Sequence, residues 1–274
     1  MRGLLRFIYK YRAFELFVLL QVISIWLLVR NNRYYNVSYL STSNAIVANV
    51  NQKVYNTEKY FSLGEVNETL ARENALLREQ LTNYLYASSY NKTGINDSLI
   101  DRYEIIPALV ERNSTARKNN LILLDKGSNH GIERGMGVIG PDGVVGQIKF
   151  VSKNFSTAVS LLHTDIRVSS MLTRDNTIGT TQWSGEDISL AKLKYVPRHV
   201  PIAEGDTVVT SGYNSVFPKG ITIGYVKNIN VNINESFYDI DIELATSFHK
   251  VGMTYIIKDK MEAEIDSLIT ISEE

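Results

Sequence analysis

The four histidines are the scarcest residues in this sequence that can carry proton-transfer or metal chemistry. They are His130, His163, His199 and His249. No two of them lie at the spacing of a helical or hairpin metal site, so a zinc ion would need ligands from distant strands. The chain has no cysteine, which excludes disulfides, thiolate catalysis, zinc fingers and cysteine-held iron–sulfur clusters. We therefore predict no metal site and no cofactor.

A serine hydrolase is the enzyme class that the remaining residues leave open. His163 or His199 would have to meet Asp165 and Ser211, and such triads are recognised by geometry rather than by chain order. The segment Thr210-Ser211-Gly212 lacks the local glycine pattern of a nucleophile loop. Ser211 is better interpreted as the end of a strand that enters a turn. We predict no catalytic residue.

The run Gly135-Met136-Gly137-Val138-Ile139-Gly140 matches the G-x-G-x-x-G pattern of dinucleotide-binding folds. That chemistry requires a strand before the pattern and a helix that begins within it. Here Pro141-Asp142-Gly143 follows and turns the chain into another strand, so we interpret the glycines as turn residues that need positive φ. Across the chain, six glycines are predicted to be structural turn positions: Gly127, Gly131, Gly135, Gly143, Gly212 and Gly220.

Composition is that of a globular protein, with 274 residues, 44% hydrophobic residues and 21% charged residues. The 29 basic residues balance the 29 acidic ones, and this neutral total argues against nucleic-acid binding. The distribution is uneven, because residues 1–33 carry six basic residues and one acidic residue. Only two of the 17 glycines and none of the five prolines precede residue 94. The N-terminal third can therefore be helical, and the remainder is rich in turns.

Residues 13–30 are predicted to form a transmembrane helix, because residues 14–29 read FELFVLLQVISIWLLV. Four cations and no acid precede this span, so residues 1–12 are expected to be a cytoplasmic stub. The bulk of the chain would then lie beyond the cytoplasmic membrane. A cleaved signal peptide is an alternative, but no small-x-small cleavage site follows the span. A buried helix of a soluble protein is the third possibility.

Residues 34–87 are predicted to form a coiled-coil helix, with its clearest heptads between Tyr60 and Tyr84. The predicted dimer seam consists of the a and d residues Leu63, Asn67, Leu70, Asn74, Leu77, Leu81 and Tyr84. Asparagine pairs at position a favour a parallel, in-register dimer. Glu73 at g and Arg78 at the following e are predicted to form an interhelical salt bridge. The alternative is that the apolar stripe packs on the protein's own β domain.

After a polar linker at residues 88–102, the pattern changes to short apolar runs separated by glycine, proline, asparagine or aspartate. No long amphipathic helix separates these runs, which favours antiparallel sheets or small barrels. We predict an all-β part of two small β-barrel-like domains, residues 103–165 and 166–260, with strands free to interleave. Residues 261–274 form an acidic tail, either a short helix or a disordered end.

Several motifs together resemble the rod shape-determining protein MreC family of bacteria. Leu70, Glu73-Asn74, Leu77-Arg78 and Leu81 resemble its L-x-x-E-N-x-x-L-R coiled-coil end. Residues 124–136, LDKGSNHGIERGM, resemble its L-[DN]-K-G-x-x-x-G-[IV]-x-x-G-M core, and residues 140–146 resemble the next hairpin. Further matches are residues 195–197, 204–212, 217–221 and 223–226. The resemblance covers most of the chain.

This resemblance implies a non-enzymatic scaffold in the inner membrane with two β-barrel domains in the periplasm. It implies a homodimer, with possible higher self-association. The implied partners are MreD, the MreB cytoskeletal filament and penicillin-binding proteins of peptidoglycan elongation. A periplasmic adaptor subunit of a secretion or efflux assembly is the alternative. Such adaptors send the chain out and back as a helical hairpin between β segments, whereas here one helical stretch precedes all the strands.

Overall fold

The computed structural model describes residues 2–31, 63–88, 101–213, 216–230 and 236–262, together with residues 264, 265 and 267. The chain divides into two units, residues 1–67 and residues 68–274. Most of the predicted linker and acidic tail, and residues 34–62 of the predicted coiled coil, lie outside the described residues.

The first unit contains helix α1, Arg2–Asn31, whose helical geometry is broken at Tyr11 (φ −112°, ψ 20°). The segment Tyr11–Leu28 is long and apolar enough to cross a membrane. Its large apolar side chains are exposed, which is compatible with a membrane-spanning helix. The predicted transmembrane residues 13–30 therefore lie within a longer helix that begins at Arg2.

Residues 63–88 form a second helix, α2, of which residues 68–88 belong to the second unit. Its composition favours a helix, because it is rich in Leu, Glu, Ala and Arg and contains no proline. Glu68 and Arg72 form an exposed ion pair one turn apart. The Asn74 side chain donates to the Leu70 carbonyl at 2.9 Å, which keeps its amide close to the helix.

Twelve strands in the second unit form two closed antiparallel barrels of six strands each. The first barrel contains β1 (Tyr103–Asn113), β2 (Asn119–Leu124), β3 (Gly137–Ile139), β4 (Val144–Val151), β5 (Ser156–His163) and β12 (Met253–Asp259). The second contains β6 (Val168–Leu172), β7 (Ile178–Gln182), β8 (Leu190–Lys194), β9 (Thr207–Thr210), β10 (Thr222–Asn230) and β11 (Asp239–Leu244). Their strand orders are β1-β12-β3-β4-β5-β2 and β10-β11-β8-β7-β6-β9.

Alternation along the strands produces the two cores. In β11, Ile240 and Ile242 are fully buried, whereas the intervening Asp241 and Glu243 face outward. The period of two residues in a strand places alternate side chains on opposite faces, so one face fills the barrel and the other meets water. Closure also pairs every strand on both sides, and the described sheets therefore leave no free edge for strand addition.

Strand β12 requires a correction to the predicted domain boundaries. It pairs with β1 and β3 in the first barrel, whereas the predicted second domain, residues 166–260, included it. The two domains therefore interleave, as the prediction allowed, and the boundary at residue 260 is wrong. The second barrel consists of β6 to β11 and is inserted between β5 and β12 of the first. The physical reason is closure, since the first barrel needs a sixth strand between β1 and β3 to pair both of their edges.

The six predicted turn glycines divide into two groups. Gly131, Gly135, Gly212 and Gly220 have positive φ, which an L-residue with a side chain rarely adopts. The other two glycines, Gly127 and Gly143, do not. A Cβ on Gly127 would lie 2.3 Å from the Ser152 carbonyl oxygen, and one on Gly143 would lie 2.4 Å from the Thr222 carbonyl oxygen. These two positions need glycine for close backbone approach.

The interpretation of the G-x-G-x-x-G run needs the same correction. Of its three glycines only Gly135 has positive φ. Gly137 lies in β3, where a Cβ would stand 2.3 Å from the Val216 carbonyl oxygen. Gly140 has neither a positive φ nor a backbone atom within 3.4 Å of such a Cβ. The run is a strand and a hairpin, not a phosphate-binding loop.

Gly143 offers a test of the contact between the two barrels, because Thr222 belongs to β10 and Gly143 precedes β4. We expect Gly143→Ala to lower the free energy of unfolding by about 1–3 kcal/mol, since the added methyl must displace backbone. Gly252→Ala is the matched control, because a Cβ there meets nothing within 4 Å. Denaturant unfolding measures the stability of both variants. Equal stability would contradict the close approach of the Thr222 backbone to Gly143.

Asp206 links stability to pH in the second barrel. Its carboxylate accepts hydrogen bonds from Arg174 at 2.5–3.0 Å and from the Ala203 backbone N–H at 2.9 Å. The Arg174 guanidinium is the main cause of a lowered Asp206 pKa. Because the folded-state pKa is depressed, this stabilisation is complete above the unfolded-state pKa of about 3.9 and is lost as pH falls through the lower folded-state value.

We therefore expect Asp206→Asn to flatten the loss of stability between about pH 5 and about pH 2. Thermal unfolding across this range measures the effect. The control is Asp142→Asn, at an exposed hairpin carboxylate, which should keep the pH dependence of the unchanged protein. An Asp206→Asn variant with the original acid sensitivity would refute the assignment.

Candidate functional site

One face of α2 packs against the first barrel. Ala71 and Ala75, one turn apart, are buried, and Ala75 is part of the hydrophobic core. Small side chains let the helix approach the barrel closely. The barrel-facing surface of α2 follows helical spacing and consists of Ala71, Ala75, Arg78, Glu79, Thr82, Asn83 and Tyr86.

Polar side chains on this surface bind the backbone at the start of β1. Glu79 Oε2 accepts a hydrogen bond from the Ile105 N–H at 3.0 Å. The Asn83 side chain accepts from the Tyr103 N–H at 2.9 Å and donates to the Tyr103 carbonyl at 2.9 Å. These bonds depend on position along the strand, so they set the register of α2 on the barrel.

Arg78 lies where the helix meets the β3–β4 hairpin. Its guanidinium donates to the Pro141 carbonyl at 3.0 Å and stands over the Tyr255 ring at 5.0 Å from the centroid. The predicted pairing with Glu73 of a second copy stays a prediction. The guanidinium has five N–H donors, so the contact with Pro141 leaves others available.

A buried ion pair beside the end of this helix joins the residue before β1 to the end of β12. Arg102 donates to both carboxylate oxygens of Asp259 at 2.5–3.0 Å, and the two side chains are only 13% and 2% exposed. The guanidinium also lies about 5 Å from the ring centroids of Tyr86 and Tyr103. The hydrogen bonds to Asp259 raise the pKa of Arg102 above its ordinary value. Sequence reasoning missed this pair because no local pattern joins residues so far apart.

The predicted dimer seam lies on a different face of α2 from the barrel-facing surface. Every seam residue is exposed in the single chain, including Leu77 at 62% and Tyr84 at 70%. At 100° per residue, the centres of the two faces are about 130° apart around the helix. Most of the heptad stripe is therefore open to solvent, although Leu81 also lines a groove between the helix, the β3–β4 hairpin and residues 218–222.

The residues proposed for hydrolysis do not form a triad among the described residues. Ser211 Oγ shares a hydrogen bond with Ser169 Oγ at 2.7 Å. The Nδ1 atom of His163 accepts from the Asp165 backbone N–H at 3.1 Å, so the Asp165 carboxylate does not orient this nitrogen. His199 is exposed. Within the described segments, no group of three His, Asp or Glu side chains can hold a metal ion.

The barrel architecture and the motifs within it identify the family. A family model described as "Rod shape-determining protein MreC, barrel core" matches residues 110–258, which is more than half of the chain. The chain belongs to the MreC family. The predicted resemblance is thereby confirmed.

Curated MreC relatives agree with this assignment. The chain is 30% identical to the cell shape-determining protein MreC of Listeria monocytogenes over 166 residues, 60% of this chain and 52% of the relative. It is 37% identical to that of Caulobacter vibrioides over 105 residues, 38% of this chain and 30% of the relative. The matched region thus spans about half or less of these relatives' length.

Solved MreC structures share the fold. The MreC structure from Listeria monocytogenes has a TM-score of 0.58 at 24% identity and covers 71% of this chain and 94% of that one. The Pseudomonas aeruginosa MreC structure has a TM-score of 0.52 at 21% identity and covers 56% and 98%. The predicted fold class is confirmed: an all-β part of two barrels, preceded by an apolar helix and a second helix.

Proposed function

We propose that this protein is a membrane-anchored, dimeric scaffold that maintains rod shape by joining partners of the peptidoglycan-elongation machinery. The main support for this proposal is that α2 has two different faces. One face fixes the helix to the first barrel, and the heptad face stays exposed. An exposed apolar stripe of regular heptads is removed from water only when it packs against a partner. A second copy of the same helix supplies one with matching spacing.

The positions of the asparagines support a parallel dimer. Asn67 and Asn74 both lie at a and are both exposed, so each can meet its own counterpart across a two-fold axis. Because the barrel-facing surface is about 130° away, pairing at the seam leaves the contacts of Ala75 and Asn83 with the barrel intact. A dimer joined at the seam carries two pairs of barrels. Each partner-binding surface on the barrels is then present twice, which raises its effective concentration.

We propose that the apolar helix anchors the scaffold in the cytoplasmic membrane, which its length and composition support. Residues 1–12 remain on the cytoplasmic side, because the cations before Tyr11–Leu28 resist translocation. The barrels then work in the periplasm or its equivalent. The partners implied by the family resemblance are MreD and the MreB filament near the membrane and penicillin-binding proteins outside it. With closed barrels, contacts to these proteins use side-chain surfaces instead of strand addition.

The scaffold has no catalytic activity of its own. The Ser211 hydroxyl forms a hydrogen bond with the Ser169 hydroxyl, which supports a structural role for Ser211. A fluorophosphonate probe applied to the full chain should leave Ser211 unlabelled. Labelling that disappears in Ser211→Ala would support a hydrolase instead.

A depletion strain complemented by this chain tests the proposal. We expect loss of rod shape and mislocalised wall synthesis on depletion, and recovery of both when the chain is supplied. The matched comparison is the same chain without residues 1–31, which should not restore shape because it is not anchored. Normal morphology together with a defect in export would favour the adaptor alternative and contradict the scaffold.

A further inference from the structure

A pocket on the first barrel has features of a small-ligand site that the scaffold function does not use. Its volume is about 260 Å³, and it opens between β4, β5, the loop before β3 and the segment after β5. The floor is apolar, formed by the buried side chains of Ile148 and Val159. Arg134 and Lys149 stand at its exposed rim.

His163 is the built-in polar group of this pocket. Its side chain is only 7% exposed, and its Nδ1 accepts the Asp165 backbone N–H at 3.1 Å. A neutral imidazole that accepts at Nδ1 carries its proton on Nε2. No hydrogen-bond partner of Nε2 is found within the described part of the chain, and this atom is not fully buried, so water can reach it. An acceptor atom of a ligand in the pocket can therefore take the place of water at this donor.

The charges around His163 favour a monovalent anion. Among the described residues, no carboxylate forms an ion pair with Arg134 or Lys149, and the Lys149 ammonium stands 5.7 Å from the centroid of the Phe150 ring. Asp165 is the one acid that lines the pocket. The two cations and one acid that line the pocket leave a single positive charge. A carboxylate balances that charge, whereas a phosphate dianion exceeds it and would be repelled by Asp165.

Gln147 adds an acceptor beside the cations. Its Nε2 donates to the Gly135 carbonyl at 2.8 Å, which leaves Oε1 to accept a hydrogen bond. The pocket thus combines donors for a carboxylate, an acceptor for an adjacent N–H and an apolar floor for a short aliphatic group. These three features coincide in the last residue of a peptide.

We propose that this pocket binds the carboxyl-terminal residue of a peptide with a small aliphatic side chain. Arg134, Lys149 and the His163 Nε2–H bind the carboxylate, and Gln147 Oε1 accepts the amide N–H. Ile148 and Val159 contact the side chain. This binding is independent of dimerisation and of the scaffold's partners.

N-acetylalanine is the probe, titrated into the full chain in detergent micelles with ¹⁵N-labelled histidine. We expect a saturable shift of the His163 Nε2 resonance, which is identified by its loss in His163→Gln. Arg134→Gln combined with Lys149→Gln should weaken binding about tenfold or more, because charged hydrogen bonds are lost. Lys153→Gln combined with Lys219→Gln is the matched control, since it removes the same charge from exposed lysines outside this pocket.

Comparison of ligands on the unchanged protein needs no variant. N-acetylalaninamide, which has the same shape but no charge, should bind much more weakly than N-acetylalanine. Equal shifts with the two compounds would overturn the proposal, as would tighter binding of inorganic phosphate. An undiminished shift in the Arg134 and Lys149 double variant would also overturn it, because the ligand would then bind elsewhere.

Discussion

Replacing Leu70 and Leu77 by lysine is expected to convert the proposed dimer into a monomer. Both leucines lie at d positions of the seam and are exposed in the single chain. Burial of a leucine side chain contributes about 1.5–3 kcal/mol, and each substitution removes this from both copies of the helix. We expect the dimer dissociation constant to rise by at least about 100-fold. Analytical ultracentrifugation of the full chain in detergent measures it.

Leu76→Lys is the matched control for this experiment. Leu76 is 55% exposed, close to the 62% of its neighbour Leu77, but it lies outside both the seam and the barrel-facing surface. The same chemical change there should leave the dimer intact and preserve rescue of rod shape. A double variant at Leu70 and Leu77 that kept the dimer mass, or a Leu76 variant that lost it, would contradict the seam.

Breaking the Arg102–Asp259 pair is expected to cause the largest loss of stability from a single substitution proposed for this protein. In Arg102→Met, the Asp259 carboxylate stays in a site where it is 2% exposed and keeps the Met261 backbone N–H as a donor at 3.0 Å. Removing one partner of a buried ion pair costs about 3–5 kcal/mol, because an uncompensated charge remains. Urea unfolding measures the change in the free energy of unfolding.

The neighbouring Lys260–Asp101 pair is the control. Its side chains are 36% and 68% exposed, and exposed pairs contribute about 0–1 kcal/mol. Lys260→Met should therefore leave the free energy of unfolding almost unchanged. Arg102→Lys should be intermediate, because lysine keeps the charge but loses the forked hydrogen bonds. Equal stability of the Arg102→Met and Lys260→Met variants would show that the buried pair contributes no more than the exposed one.

Local patterns in the sequence predict the elements of this fold well. The alternation from Ile240 to Leu244 predicts a strand with one buried face, and the structure has that strand in β11. The Pro141-Asp142-Gly143 segment predicts the hairpin between β3 and β4. The heptads between Leu63 and Tyr84 predict a helix, which α2 contains. Each of these signals lies within one element and follows from the backbone periods of 2.0 and 3.6 residues.

The candidate sites depend on contacts that no local pattern records. Arg102 and Asp259 are 157 residues apart, and the pocket beside His163 draws Arg134 from another loop of the first barrel. In α2, the small residues Ala71 and Ala75, one turn apart, indicate a second face that packs closely. The apolar heptad stripe is the stronger pattern, so that face was not predicted from the sequence.

By itself, the sequence determined the long apolar helix, the heptad stripe, the short alternating strands and the motifs of the MreC family. Only the tertiary structure decided that β12 returns to the first barrel, that α2 uses one face for its own chain, and that His163 lines one pocket with two cations. The reason is the range of the interactions. Periodicity and turn chemistry act between residues that are neighbours in the chain. Barrel closure and buried ion pairs join residues that are distant in the chain, and the favoured arrangement is the one that leaves no strand edge and no buried charge unpaired.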